Sequence, residues 1–178
     1  MVFFTSLFYT SFMLYKNYKS DILAELYFYT GIFAMIFTAF SLLLSLFKFK
    51  GCKKLPRLFG IFAFMWAFLH LSSYFIFSKQ LSFSKLFNSI FTYNIEFSGF
   101  ISFMLMSLMF LASFSLFKSI KIVLKMGYVL FVLICIHYFL SAKIPNLWHI
   151  SILFLSIFLL YLRYKNDLIN KIYKQGNK

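Results

Sequence analysis

Acidic residues are scarce in this sequence: four Asp and Glu stand against 18 Lys and Arg, and charged residues make up only 12% of 178 positions. Soluble globular domains contain about 25% charged residues. Hydrophobic residues reach 62%, which is more apolar surface than a domain of this size can bury. The scarcity of charge therefore excludes an ordinary soluble domain and indicates an integral membrane protein.

Glycine and cysteine are also rare, with six and two residues. The glycines form none of the glycine-rich loops that bind nucleotide phosphates, so this sequence contains no soluble NAD(P)H or FAD domain. The two cysteines, Cys52 and Cys135, form neither a C-x-x-C-H haem-attachment motif nor a zinc-binding pattern. The spans proposed below place them at opposite depths, too far apart for a disulfide.

Charge-free runs long enough to cross a membrane recur along the chain. They cover 26–47, 58–78, 97–117, 126–142 and 144–162. About 20 apolar residues cross ~30 Å of hydrocarbon as a helix, and most of the runs are near that length. The fifth is short, but extension back past Lys125, whose long side chain can reach the interface, gives a full span over 122–142.

A shorter apolar run, 2–15, opens the chain. It has no preceding basic segment and no small-residue cleavage site, so it is interpreted as a short retained span rather than a signal peptide. The sequence thus predicts an all-α integral membrane protein, a single domain of six transmembrane helices followed by a basic tail at 163–178.

The basic residues are unevenly distributed between the two ends of these spans. Three segments, 47–58, 118–125 and 163–178, hold 13 of the 18 basic residues and alternate along the chain as one membrane face requires. The positive-inside rule places that face, and both termini, in the cytoplasm. The net charge of +14 is explained by topology and by attraction to anionic lipid headgroups, and requires no nucleic acid.

Two of the three histidines, His70 and His137, interrupt predicted spans. They lie 13 residues beyond Arg57 and 12 residues beyond Lys125, which at about 1.5 Å per residue gives similar depths of about 20 and 18 Å. Ionisable side chains inside a membrane are costly and usually functional. Two imidazoles at equal depth are what an iron porphyrin needs as axial ligands. The alternative is that each histidine only packs through hydrogen bonds or relays protons.

The helical neighbours of each histidine suggest how a flat ligand would fit. Two alanines and a tyrosine share the face of the first histidine, and two leucines and a serine share that of the second. The residues concerned are Ala63, Ala67 and Tyr74 beside His70, and Leu130, Leu133 and Ser141 beside His137. Small residues leave room for a macrocycle, and the apolar residues would form a wall against it.

The segment from Arg57 to Tyr74, which contains His70, resembles the signature of the ferric-reductase-like transmembrane family. Within that family it most resembles the haem-binding membrane subunits of periplasmic protein-methionine-sulfoxide reductase systems. The segment 128–143 around His137 resembles the family's second histidine helix, and Thr30-Gly31 and 162–164 also match. The resemblance covers nearly the whole chain and is loosest at 2–15 and in the loop predicted at 78–96.

This resemblance implies a b-type cytochrome in the bacterial inner membrane, an electron-transfer subunit rather than a complete enzyme. Electrons would come from a cytoplasmic flavin reductase or from membrane quinol. They would pass to a periplasmic molybdenum-containing methionine-sulfoxide reductase that repairs oxidised proteins. The implied cofactors are haem b, with FMN and quinone as further candidates. A rival within the family is electron transfer to iron, and a rival of another class is a non-redox transporter or assembly factor.

The sequence departs from the family pattern at Leu124, where the family has a further histidine for a second haem near the inner face. We therefore predict one haem, in the outer half of the membrane.

The only two arginines, Arg57 and Arg163, lie at the cytoplasmic boundary. They either anchor helices there or bind an anionic cofactor, since arginine favours planar bidentate partners. His149 is either an interfacial residue beside Trp148, or a partner of a haem propionate or an alternative ligand.

Overall fold

The computed structural model describes residues 2–17, 21–47, 54–114 and 123–176, and no strand occurs in these ranges. The elements are helices throughout, because an apolar chain in lipid must pair its backbone groups within each segment. In chain order they are α1 (Val2–Lys16), α2 (Ile22–Phe47), α3 (Leu55–Ser73), a π-helical segment (Tyr74–Ser78), α4 (Phe83–Thr92), α5 (Asn94–Ala112), α6 (Gly127–Ser141) and α7 (Leu147–Gly176).

Within the described ranges, five helices are long and apolar enough to cross a membrane. Those stretches are Ile22–Leu46, Leu55–Ser78, Asn94–Ala112, Val123–Ser141 and Leu147–Lys165. The sixth predicted span corresponds to α1, whose 15 residues extend about 22 Å, less than the ~30 Å hydrocarbon core. The all-helical architecture is therefore confirmed, with five helices that could span a membrane by length and composition. A full crossing by α1 and the cytoplasmic location of the termini stay predictions.

Several predicted boundaries differ from the observed ones. The fourth span was expected over 97–117, whereas α5 runs over Asn94–Ala112. The predicted loop at 78–96 contains α4, since its apolar residues recur at helical spacing over a stretch too short to span. Helix α7 continues through most of the basic tail. Cys52 and the predicted cytoplasmic lysines at 48–53 and 118–121 lie outside the described residues.

The helices pack around a cluster formed by α2, α3, α5 and α6. Its buried members are Ala34, Phe37, Ala63, Trp66, Met106 and Leu130. The Trp66 ring stacks on Phe33 with ring centroids 5.0 Å apart, and its indole N–H donates to Ser6 of α1 at 3.2 Å. Aromatic packing and this hydrogen bond hold α1 against the bundle.

A second cluster joins α2, α6 and α7, and its buried members are Met35, Leu42, Tyr128, Phe131, Cys135 and Leu159. The Tyr128 hydroxyl donates to the backbone carbonyl of Leu42 at 3.1 Å. Buried hydroxyls elsewhere donate to carbonyls of their own helix, as Thr38 does to Ala34 at 2.8 Å, which satisfies them without water. The helices are therefore held together mainly by side-chain packing.

Candidate functional site

The structure brings His70 of α3 and His137 of α6 together. The centroids of the two imidazole rings are 6.3 Å apart, and the ring planes make an angle of 81°. The sequence separates these residues by 67 positions, so only the packing of the two hairpins α2–α3 and α5–α6 makes them neighbours. The sequence had suggested this pairing, because the two histidines were predicted at similar depths in the membrane.

The orientation of the His70 ring is set by Thr30 on α2. The Thr30 hydroxyl donates to the Leu26 carbonyl at 2.7 Å and lies 3.0 Å from His70 Nδ1. With its one hydrogen donated to that carbonyl, the hydroxyl can accept from Nδ1–H. The lone pair of His70 is then on Nε2, as ligation of a metal by that nitrogen requires.

The His137 ring is held in an equivalent way by α5. Its Nδ1 lies 2.9 Å from the Ile95 carbonyl oxygen, which can only accept, so Nδ1 carries the proton. The Ser98 hydroxyl is 3.3 Å from the same nitrogen. This histidine also presents an unprotonated Nε2. Hydrogen bonding of the distal ring nitrogen to a carbonyl or hydroxyl is the usual support of metal-ligating histidines.

A glycine follows each supporting hydroxyl residue and lets a helix backbone approach the ring. A Cβ on Gly31 would lie 3.3 Å from Cε1 of His70, and a Cβ on Gly99 would lie 2.6 Å from Cε1 of His137. The pair Ser98-Gly99 thus repeats on α5 what Thr30-Gly31 does on α2. Sequence reasoning missed Gly99, although a hydroxyl residue followed by glycine inside a second span was the available signal.

The two rings border a cavity of about 520 Å³ lined by residues of helices α2 to α6. Most of its lining is apolar, with Ala67, Leu86, Ile90, Phe103, Met106 and Ile134 among the contributing side chains. This volume is within the range of small-molecule and cofactor sites, about 300–1,000 Å³. The cavity therefore suits a large, mainly apolar ligand that meets both imidazoles.

The predicted helical neighbours of the histidines are only partly in this cavity. Ala67, Tyr74 and Ser141 line it, as expected. The prediction was wrong for Ala63 and Leu130, which are buried in the first packing cluster, and for Leu133, whose place is taken by Ile134. The helix is rotated so that residues three before and four after His137 face the ligand space.

The donor set distinguishes between kinds of metal site. Among the described residues, no group of three or more His, Cys, Asp or Glu side chains could hold a metal ion. A protein-bound ion such as zinc requires three or four protein ligands, whereas a haem iron needs only axial ones. The ring centroids are 6.3 Å apart beside a mostly apolar cavity, so His70 and His137 would together be able to hold the iron of one porphyrin.

A polar cluster lies at the edge of the cavity, one helical turn beyond His70. The Tyr74 hydroxyl donates to Glu96 Oε1, and Lys79 Nζ is 3.2 Å from the same oxygen. Glu96 Oε2 is buried and has no hydrogen-bond partner among the described residues. Partial burial opposes the charge of Lys79, but its hydrogen bonds with Tyr74 and Glu96 outweigh this and raise the pKa of the ammonium.

This cluster was found only in part from the sequence. Tyr74 was a predicted cofactor-binding residue, and it does border the cavity. No site was predicted at Glu96 or Lys79. The 22 positions between Tyr74 and Glu96 include α4, and without that helix their proximity could not be predicted.

The remaining predicted residues lie outside the cavity. His149 stacks on Tyr138 with ring centroids 4.6 Å apart, and only Tyr138 lines the cavity. The Arg163 guanidinium lies 5.9 Å from the centre of the Tyr128 ring. Arg57 is exposed near the start of α3. An anionic cofactor bound by the two arginines stays a prediction.

Replacing Thr30 with valine is expected to weaken cofactor binding by about 10–100-fold, the usual cost of removing the partner of a ligating histidine. Valine has nearly the same shape but cannot accept from His70 Nδ1–H. The measurement is the rate of haem loss to an excess of apomyoglobin. Thr30→Ser keeps the hydroxyl and serves as the control. Equal rates for Thr30→Val and the unmodified protein would contradict a positioning role for Thr30.

The function proposed below for this chain is based on the contacts of His70 and His137. No protein-family model, no curated protein and no solved structure matches it.

Proposed function

We propose that this protein is a membrane b-type cytochrome that binds one haem between His70 and His137 and carries electrons across the bacterial inner membrane. The observation that supports this best is the pair of imidazoles 6.3 Å apart, each with Nδ1 hydrogen-bonded and Nε2 available. A packing role for either histidine would require neither a shared cavity nor this matched orientation.

The residues of the chain have distinct tasks in this function. When bound, the haem supplies reversible one-electron chemistry at its iron. His70 and His137 would hold the iron, and Thr30 and the Ile95 carbonyl would keep the rings oriented for this through their contacts with Nδ1. Apolar side chains of the cavity exclude water. In the absence of a C-x-x-C-H motif, binding is non-covalent.

The proposed donor is a cytoplasmic flavin reductase or membrane quinol, and the proposed acceptor is a periplasmic molybdenum-containing methionine-sulfoxide reductase. Sequence resemblance to the ferric-reductase-like family supports these partners. The distance of both histidines from the basic face, about 18–20 Å by residue count, supports a haem in the outer half of the membrane, where a docked periplasmic acceptor would be close. FMN and quinone are the further redox cofactors that this route would use.

Packing supports one haem rather than two. Leu124, at the position of the family's additional histidine, is 41% exposed and does not line the cavity. Three residues further on, a Cβ on Gly127 would lie 3.0 Å from Leu42 Cδ2 and 3.2 Å from Met109 Cε. The helices approach each other there as closely as their side chains allow. That contact brings α2, α5 and α6 together around Gly127, which supports a single site on the outer side of it.

The proposal is tested by the absorption spectrum and haem content of protein purified from haem-replete cells. We expect a red-shifted Soret band and a sharp α band on dithionite reduction. A pyridine haemochrome assay should return one haem per chain. A colourless preparation would favour a non-redox membrane protein, and two haems per chain would contradict the assignment of a single site.

A stopped-flow experiment on the reduced protein separates the two redox candidates. Oxidation by a periplasmic sulfoxide reductase, but not by a ferric chelate, is the outcome expected here. Faster oxidation by the chelate would identify the protein as a ferric reductase.

A further inference from the structure

Helix α4 has three chemically different faces. Leu86 and Ile90 face inward and line the cavity. Three phenylalanines form an outward stripe at spacings of four residues: Phe83, Phe87 and Phe91, with 66%, 50% and 80% of their surfaces exposed. The third face is polar and exposed, and consists of Ser84, Lys85, Asn88 and Thr92. A helix that is apolar over more than the side facing its own protein needs a second apolar partner.

The position of α4 indicates what that partner is. The helix connects the end of the span Leu55–Ser78 to the start of the span Asn94–Ala112, so it lies where the bundle leaves the hydrocarbon. Its ten residues extend about 15 Å, too short to cross. The neighbouring span ends also expose aromatic side chains, Phe77 at 51% and Phe97 at 45%. The phenylalanine stripe thus continues the apolar surface of the spanning helices.

The turn before α4 directs the chain into this position. Gln80 and Leu81 have positive φ values of 52° and 58°, which reverse the chain after the π-helical segment. The Ser82 side chain then caps α4 by accepting from the Lys85 backbone N–H at 3.4 Å. The helix therefore begins at a defined orientation, in contrast to a loop that extends into water.

We infer that α4 is an interfacial helix that inserts Phe83, Phe87 and Phe91 among the lipids of the leaflet in which α3 ends. Helices of this kind lie in the membrane plane with aromatic residues toward the acyl chains and polar residues toward water. Lipid on one side and the bundle on the other then hold α4 over the cavity as its cover. The inference concerns the fold and its lipid contacts, and does not depend on which cofactor occupies the cavity.

The test uses the full chain in phospholipid nanodiscs and nitroxide labels on single cysteines. The labelled variants are Phe87→Cys on the apolar stripe and Asn88→Cys on the polar face, both carrying Cys52→Ser and Cys135→Ala. Collision of each label with oxygen, which concentrates in lipid, and with a water-soluble nickel chelate is measured by power-saturation EPR. We expect several-fold greater accessibility to oxygen than to nickel for the label at Phe87, and the reverse for the adjacent control.

Two outcomes would overturn the inference. Greater nickel than oxygen accessibility at Phe87 would place the stripe in water. Low accessibility to both reagents would show that protein, either another copy of this chain or a partner, covers it. A change at Phe87 could disturb α4, so Phe91→Cys is labelled in the same background. The Phe91 side chain is 80% exposed, so misfolding would be a poor explanation of a result that both labels share.

Discussion

Replacing His70 or His137 with alanine is expected to remove bound haem from the purified protein. Each change deletes one of the two ligating nitrogens that we propose and leaves a cavity whose lining is otherwise mostly apolar. The loss of affinity should exceed the about 10–100-fold cost expected for changes in the hydrogen-bond partners of ligands, including that predicted for Thr30→Val. The measurement is the ratio of Soret absorbance to protein in preparations from haem-replete cells.

His149→Ala provides the matched control for these two variants. This third histidine stacks on Tyr138 but lies outside the cavity lining, so its removal should leave the haem content unchanged. Full haem content in either His70→Ala or His137→Ala would show that the proposed pair does not ligate iron. Loss of haem in His149→Ala alone would move the site to the outer end of α7.

Replacing Gly99 with alanine is expected to abolish haem binding as well, although alanine adds only a methyl group. That carbon would lie 2.6 Å from Cε1 and 2.9 Å from Nδ1 of His137. These distances are well inside the ~3.5–4.0 Å of favourable contact, so either α5 moves away or the imidazole rotates. Either movement breaks the hydrogen bond to the Ile95 carbonyl and misdirects the ligating nitrogen. Haem content and circular dichroism of the purified variant provide the measurement.

Two other glycines make this prediction specific. Gly31→Ala places its methyl carbon 3.3 Å from His70 Cε1 and should weaken binding less, whereas Gly60→Ala places it 3.6 Å from Ser41 Oγ, an ordinary contact. Alanine is favoured over glycine in helices by about 1 kcal/mol, so Gly60→Ala should be neutral or stabilising. If Gly99→Ala retained the haem and spectrum of the unmodified protein, close support of His137 by α5 would be disproved.

The spans and the histidine pair were accessible from the sequence because both depend on position along a helix axis. Charge-free runs mark where a helix can lie in hydrocarbon, and residue counts from Arg57 and Lys125 gave the two rings similar depths. Rotation about the axis is a different quantity. It decided that Ile134 rather than Leu133 lines the cavity, and it depends on packing between helices, which a single sequence does not reveal.

Contacts between distant segments were the least accessible part of the site. The salt bridge of Lys79 with Glu96 depends on the turn at Gln80, which has no strong signal in the sequence. It also depends on α4, whose apolar residues recur at helical spacing within a segment that was predicted as a loop. The role of Gly99 depends on the distance between α5 and His137, although the preceding Ser98 marked a pattern already seen at Thr30-Gly31. For α1, apolar composition alone suggested a transmembrane span, although the 15 residues of this helix are few for a full crossing.

The repeated support of the two rings has a thermodynamic consequence for the whole bundle. One ring and its hydroxyl–glycine pair belong to the hairpin α2–α3, and the other ring and pair belong to α5–α6. Any ligand held by both nitrogens acts as a cross-link between the two hairpins, and its binding free energy adds to the stability of their association. Release of such a ligand and separation of the two halves of the molecule are then linked equilibria, so the supply of the ligand would regulate how much intact protein the membrane contains.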